Sequence, residues 1–281
     1  MRRLLAPPVR DSFPDTFTPE PKLATPSSAS PSLAGMRVFV SGGSSGIGRA
    51  IAIASARAGA DVALSYRSNE RGARDVAREI ESLGRRVGVI RLDLADPISI
   101  GALVPALRNV LGGVDVWVNN AGADVLTGPA SSLPAAEKLD LLMRVDLRGT
   151  VLASWQAAEL MTAQESGGVI INMSWDHVLS GMPGLEAQLF SAVKGGVLAF
   201  SKSLARTVAP RVRVNVLAPG WIETAYGNEV DETIRRQVVA STPLERWGTP
   251  EDVAGAAVFL ASRSAAFVTG QTMLVGGGVV M

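Results

Sequence analysis

Cysteine is absent from the 281 residues, histidine occurs once, and aromatic residues make up only 5%. Without cysteine there is no disulfide framework, no thiolate metal site and no cysteine nucleophile. One histidine excludes a multi-histidine metal centre, so no metal is expected. Net charge is nearly absent too: 27 Lys and Arg face 26 Asp and Glu, a formal +1. That balance argues against nucleic acid or an acidic membrane surface held by bulk electrostatics. The longest suspicious stretch, the charge-free residues 264–281, carries Gly270, Gly276, Gly277 and Gly278. It suits a strand with turns better than a membrane span.

Proline is plentiful but uneven. Seven of the 16 fall within the first 34 residues, alongside eight Ser or Thr and no apolar periodicity. Such a segment buries too little surface to offset its ordering entropy, so residues 1–34 are expected to be a flexible extension. A misassigned start codon or an arm contacting another subunit are the alternatives. No apolar stretch of signal-peptide length is present, and Asp11, Asp15 and Glu20 do not fit a transit peptide; a cytoplasmic location is the expectation.

From Met36 onward, strand and helix signals alternate. Strands are predicted over 37–41, 62–66, 87–92, 114–118, 168–173, 211–217 and 272–275. Helices are predicted over 46–58, around Ala73, Val76, Ala77 and Ile80, and around Leu103, Leu107 and Leu111. Others are predicted within 134–164, over about 188–208 and around Val253, Ala257 and Leu260. The strands are continuous β-branched runs, as expected when helices cover both sheet faces. The reading is one doubly wound, Rossmann-type α/β domain over residues 35–281, with a parallel sheet.

The turn after the first strand reads Ser41-Gly42-Gly43-Ser44-Ser45-Gly46-Ile47-Gly48. A glycine-rich turn between strand and helix lets backbone N–H groups approach a pyrophosphate, with the helix N-terminus adding a favourable dipole. A site preferring NAD places an acid at the end of the second strand to bind the ribose 2′-hydroxyl. Here that strand ends Tyr66-Arg67-Ser68. Arg67 can pair with a 2′-phosphate and Ser68 can donate to it, so NADP(H) is the preferred cofactor and NAD(H) the alternative.

Together with Asn119-Asn120-Ala121-Gly122, Pro219-Gly220 and Thr224, this turn resembles the short-chain dehydrogenase/reductase family. The stretch from Pro243 to Asp252 and that from Thr269 to Gly278 are similar to its 3-oxoacyl-carrier-protein reductase and glucose dehydrogenase branch. The resemblance covers about residues 36–281. It implies a nicotinamide cofactor, hydride transfer to or from a carbonyl or alcohol carbon, a small-molecule substrate and a homo-oligomer, dimer or tetramer. It further implies that Ser41, Gly42, Ser44, Ser45, Gly46, Ile47 and Gly48 line the pyrophosphate. Asp93 and Leu94 would meet the adenine, and Asn119, Ala121 and Gly122 would run along the ribose. Pro219, Gly220, Ile222 and Thr224 would embrace the nicotinamide.

A typical member of the family works with Asn, Ser, Tyr and Lys. The corresponding Tyr-x-x-x-Lys element reads Phe190-Ser191-Ala192-Val193-Lys194, so the Lys is kept and the Tyr is not. Asn172-Met173-Ser174 continues with Trp175 where a Ser is expected, and Asp146 stands at the Asn position. Replacement proton donors are sought in Asp176 and His177, the latter thirteen residues before Phe190, a spacing seen for that Ser in relatives. A solvated loop histidine is the competing reading. Asp146 could pair with Lys194 or hold a water. Trp175, Phe190, Trp221 and Tyr226 are expected around the substrate. The expectation is an NADP(H)-dependent oxidoreductase with an altered proton site; the alternative is a catalytically silent nucleotide-binding sensor or scaffold.

Overall fold

The computed structural model describes residues 31–224 and 230–281. Seven parallel strands form one sheet in the order β3-β2-β1-β4-β5-β6-β7. They are β1 (Arg37–Val40), β2 (Asp61–Tyr66), β3 (Val87–Arg91), β4 (Val116–Asn119), β5 (Gly168–Met173), β6 (Val212–Pro219) and β7 (Thr272–Val275). Helices α1 (Gly46–Arg57), α2 (Glu70–Ser82) and α9 (Pro250–Ala261) pack on one face. Helices α4 (Leu103–Leu111), α6 (Thr150–Ala163) and α7 (Leu185–Val208) cover the other. The strand period of two divides the apolar runs between these layers. Val38, Val40, Val116 and Val118 belong to the first core, and Phe39 and Trp117 to the second. Phe39 and Trp117 meet edge-on, with ring centroids 4.7 Å apart.

Several boundaries differ from the sequence expectation for local reasons. Leu33 falls within the expected arm but is fully buried, and its N–H donates to the Ala58 carbonyl at 2.8 Å. The packed domain therefore begins before residue 35. Residues 1–30 of the expected arm lie outside the described residues. A short α3 (Pro97–Gly101) precedes α4, capped by the Asp96 carboxylate accepting from Ile98 N–H, with Pro97 in the first turn. Helix α7 starts at Leu185 rather than near 188. After α5 (Ala135–Leu142), residues Met143–Gly149 form a π-helical turn leading into α6. Helix α8 (Glu232–Ser241), which is not among the predicted helices, is capped at its start by Asp231. No helix of the described residues is long and apolar enough to cross a membrane.

The strand order reverses between β1 and β4. In open α/β sheets a crevice opens at that point, beyond the carboxyl ends of the strands. Ser41, directly after β1, ties the two strand ends together. Its hydroxyl accepts from the backbone N–H groups of Asn120 and Ala121, each at 3.0 Å, and its carbonyl accepts from Asn120 Nδ2 at 3.0 Å.

Candidate active site

The crevice is a groove of about 490 Å³. Its floor is the glycine-rich turn, where Gly42 (φ 66°) and Gly46 (φ 52°) adopt the left-handed conformation that glycine alone takes without penalty. A Cβ on Gly42 would lie 2.9 Å from Ala121 Cα. Ser45, at the N-cap of α1, makes no side-chain capping bond, and the first turn of α1 has no acid. The helix start therefore offers backbone donors and the positive dipole end to an anion. These features fit a dinucleotide diphosphate.

Gly42, Ser44, Ser45, Ile47, Gly48, Tyr66, Arg67, Ser68, Asp93, Leu94, Ala121, Gly122 and Thr224 all line the groove, joined by Asn69, Asn120 and Val145. Ser41 is buried beneath it as a brace, and Gly46 faces Thr224. The side chain of Asn119 is not on the wall, which corrects its expected place along the ribose. It is buried, accepting from Trp117 Nε1 at 2.9 Å and donating to Ser154 Oγ and Asn172 Oδ1. Trp117 and Asn119 are two apart on β4 and share a face; Asn120, past the strand end, is the one that reaches the groove.

A second pocket of about 330 Å³ adjoins the groove, sharing Ile47, Asn120 and Thr224 with it. Trp175, Phe190, Trp221 and Trp247 supply aromatic walls, and Pro219, Gly220 and Ile222 line it from the end of β6. Tyr226 lies outside the described residues. Glu186, Phe190 and Lys194 also line the pocket and stand at four-residue intervals on α7, which places them on one helix face. Lys194 Nζ lies 2.9 Å from the buried carboxylate of Asp146. Asp146 is presented by the π-helical turn and accepts the Ala123 N–H at 2.7 Å. Gly122 gives it room, since a Cβ there would stand 2.7 Å from Asp146 Oδ2. The ion pair thus connects the groove, through Gly122 and Ala123, with the pocket, through Lys194.

Asp176 and His177 do not line the pocket, which corrects their expected place as donors to substrate. The chain turns into a 3-10 helix directly after Trp175 and buries both side chains. The imidazole stacks on Trp175 (centroids 5.0 Å, 25°) and stands edge-on to Trp221 at 6.3 Å. Asp176 Oδ1 accepts the His177 backbone N–H at 2.7 Å and lies 2.6 Å from its ring Nδ1. Asp176 Oδ2 is buried without a hydrogen-bond partner, between the backbones of Gly220 and Gly276. A Cβ on Gly220 would stand 2.5 Å from it. The dyad sits behind the aromatic wall, packed against the backbones that follow β6 and β7.

Residues 42–280 match the family model described as enoyl-(acyl carrier protein) reductase. The chain belongs to the short-chain dehydrogenase/reductase family. It is 36% identical over 252 residues to the 3beta-hydroxysteroid dehydrogenase 1 of Eggerthella lenta, covering 89% of this chain and 95% of the relative. It is 37% identical over 252 residues to the 3-oxoacyl-(acyl-carrier-protein) reductase FabG of Aquifex aeolicus, covering 88% and 98%. A short-chain dehydrogenase from Burkholderia cenocepacia, solved in complex with NADP, superposes with a TM-score of 0.79 at 31% identity, covering 88% of this chain and 98% of that one. Membership makes this an oxidoreductase fold built around a nicotinamide dinucleotide. In family terms, the groove and the Lys are kept. Ser174, just before the expected Ser position, donates its hydroxyl to the Lys194 carbonyl at 2.9 Å and so braces β5 against α7.

Sequence reasoning missed two pocket residues of consequence, Asn120 and Glu186. The Glu186 carboxylate pairs with Lys138 Nζ at 3.2 Å. Its own backbone N–H and that ammonium hold it below the ordinary carboxylate range, so it stays ionised at neutral pH. The four-residue spacing to Phe190 becomes a signal only once α7 is known to begin at Leu185.

The buried dyad carries a pH signature. Burial raises the Asp176 carboxyl above its ordinary value, outweighing the His177 contacts that lower it. A carboxyl raised in this way binds its proton more tightly in the folded chain than in the unfolded one. Its stabilising contribution is full below the unfolded value near 3.8 and is lost as pH rises through the folded value. Asp176→Asn removes that loss. Melting curves at several pH values should show the variant gaining on wild type as pH rises from about 4. A difference that shrinks with rising pH would contradict the sign.

Proposed function

We propose that this chain is an NADP(H)-dependent oxidoreductase that moves a hydride to or from a carbon of a small, flat, carbonyl-type substrate, with an altered proton-donor site. The observation that carries this reading is the groove and the aromatic pocket side by side, sharing Ile47, Asn120 and Thr224, with Lys194 and Asp146 bridging the two. Bound reduced nicotinamide supplies a hydride. The chain's own residues do the rest. Backbone N–H groups of the Gly42–Gly48 turn hold the diphosphate. Lys194 gives one donor to Asp146 and keeps two for ribose hydroxyls. The aromatic walls exclude water and favour a flat substrate. Phe190 holds no proton, so nothing at that position can neutralise an alkoxide. The relatives named for oxo and hydroxy groups support a carbonyl or alcohol carbon as the reacting centre.

NADP(H) is favoured over NAD(H) by the end of β2. Arg67 and Ser68 line the groove there, exposed at its edge and with no acid beside them in Tyr66-Arg67-Ser68. A charge-assisted pair with a 2′-phosphate contributes about 1.5–3 kcal/mol. Arg67→Ala should therefore weaken NADPH binding by about 10- to 100-fold, read by quenching of tryptophan fluorescence, while NADH affinity stays within about twofold. Equal losses for both cofactors would refute the preference. We also place a homo-oligomer contact on the α6 and α7 faces, where Trp155 is 55% exposed and packs edge-on to Phe200.

A panel of ketones, imines and activated alkenes with NADPH tests the activity. Saturable NADPH binding with no turnover of any class would return the chain to a silent nucleotide-binding sensor or scaffold, a reading favoured by the aromatic side chains at 175 and 190.

A further inference from the structure

Hydride transfer to a neutral carbonyl leaves an alkoxide, and the pocket is poorly equipped to protonate one. Phe190 has no ionisable hydrogen. The Ser174 hydroxyl is committed to the Lys194 carbonyl, and Asn120 Nδ2 to the carbonyls of Ser41 and Gly42. Among the described wall residues, the ionisable groups are Lys194, held by Asp146, and Glu186, whose Oε1 pairs with Lys138 while Lys138 itself stays off the pocket wall. An ionised Glu186 opposes the build-up of negative charge on a substrate. The same carboxylate, with the rings of Trp175, Phe190 and Trp221 around the space, suits a positive charge.

We propose that the substrate of this pocket is a cationic iminium, a carbon doubly bonded to a positively charged nitrogen, and that Glu186 selects it. The inference rests on the hydride-transfer reading above and names its substrate class. The balance closes without a proton. The iminium carbon takes a hydride from reduced nicotinamide, a new C–H bond forms, and the π pair of the C=N bond moves onto nitrogen. The products are a neutral amine and oxidised nicotinamide. The substrate brings its own activation, which is the task a phenol performs for a ketone. Replacement of Tyr by Phe190 then costs the reaction nothing, and replacement of Ser by Trp175 adds a ring for the cation. Glu186 binds the positive charge that the bound substrate and the transition state largely share, so its effect falls on KM rather than on kcat.

The test uses the full chain with NADPH and two bicyclic compounds of similar shape. N-methyl-3,4-dihydroisoquinolinium carries a permanent charge, and 1-tetralone is its neutral ketone counterpart. The expected result is reduction of the iminium above the enzyme-free rate, with kcat/KM at least about 100-fold above the ketone, and no change across neutral pH. Glu186→Gln should raise the iminium KM about fivefold with kcat within about twofold. N,N-dimethyl-1,2,3,4-tetrahydroisoquinolinium has no C=N bond to reduce, so it reports binding alone. Followed by tryptophan fluorescence, its affinity should fall about fivefold in Glu186→Gln. The carboxylate is partly exposed at the start of α7, and its neutral isostere leaves the fold intact.

A ketone turned over as fast as the iminium overturns the proposal, as does a Glu186→Gln variant with unchanged KM and cation affinity. Titration with NADPH alone separates the two levels. No quenching sinks the hydride-transfer reading and this one together. Saturable quenching with no catalysed iminium reduction sinks only the substrate class.

Discussion

Phe190→Tyr is expected to raise ketone reduction by about 100- to 10,000-fold, the range a positioned acid contributes. Phe190 lines the pocket one helical turn before Lys194, on the same face of α7. A hydroxyl added at the far end of that ring enters the space where substrate must sit. The Lys194 ammonium would favour the phenolate and so make the phenol a stronger acid. Trp175 stands edge-on to Phe190 with centroids 6.3 Å apart, so the substrate-facing space beside the new phenol is narrow. The double variant Phe190→Tyr with Trp175→Ser relieves this and restores both hydroxyls typical of the family. Ketone turnover should rise further in it. Iminium reduction should gain nothing from either change, since no proton enters that reaction. Were ketone turnover unchanged in both variants, proton supply would not limit the reaction and a donor elsewhere would have to serve it.

Much of this was legible because local chemistry fixes it. The Gly42–Gly48 turn, the missing acid after β2 and the retained Lys194 need only sequence order to be interpreted, because strand, turn and helix follow one another directly. What could not be read depends on contacts between distant segments. Asp176 and His177 follow Trp175 and look available from sequence. Their burial depends on Gly220 after β6 and Gly276 after β7 leaving space for a carboxylate oxygen. Nothing near residue 176 reports those glycines. Asn119 is a different case. Strand parity with Trp117 puts its side chain beneath α6, with Ser154, and not toward the groove at the strand ends. Leu33 shows how composition averages hide one anchoring side chain at the edge of a proline-rich segment. Helix α8 is short and polar, and its main sign was the Asp231-Glu232 start, a capping residue followed by an acid in the first turn. Glu186 lacked any motif; its role follows from the register of α7, once the helix is known to begin at Leu185.

The second large effect concerns the groove. Gly48→Ala should weaken NADPH binding by at least about 100-fold, equivalent to roughly 2.7 kcal/mol, measured by fluorescence quenching beside a thermal melt. Gly48 is the third residue of α1 and is absent from the positive-φ glycines, so its backbone makes no demand for glycine. Helix propensity alone would favour alanine by about 1 kcal/mol. Space decides otherwise. A Cβ on Gly48 overlaps the Gly42 carbonyl oxygen and lies 2.5 Å from Asn120 Nδ2. Neither neighbour can yield cheaply. Gly42 is backbone held by its N–H to Ser65 Oγ at 3.2 Å, and Asn120 is the amide that ties β4 to the turn through the Ser41 and Gly42 carbonyls. Relief requires α1 to move away from the turn, which opens the diphosphate cradle at both ends. Because α1 is anchored by Ile51, Ile53 and Ala56 in the core shared with α9, moving it should also lower the melting temperature by a few degrees. Binding is therefore compared well below the melt. If Gly48→Ala instead bound NADPH as wild type does, the close approach of α1 to the turn would not be what shapes the cradle.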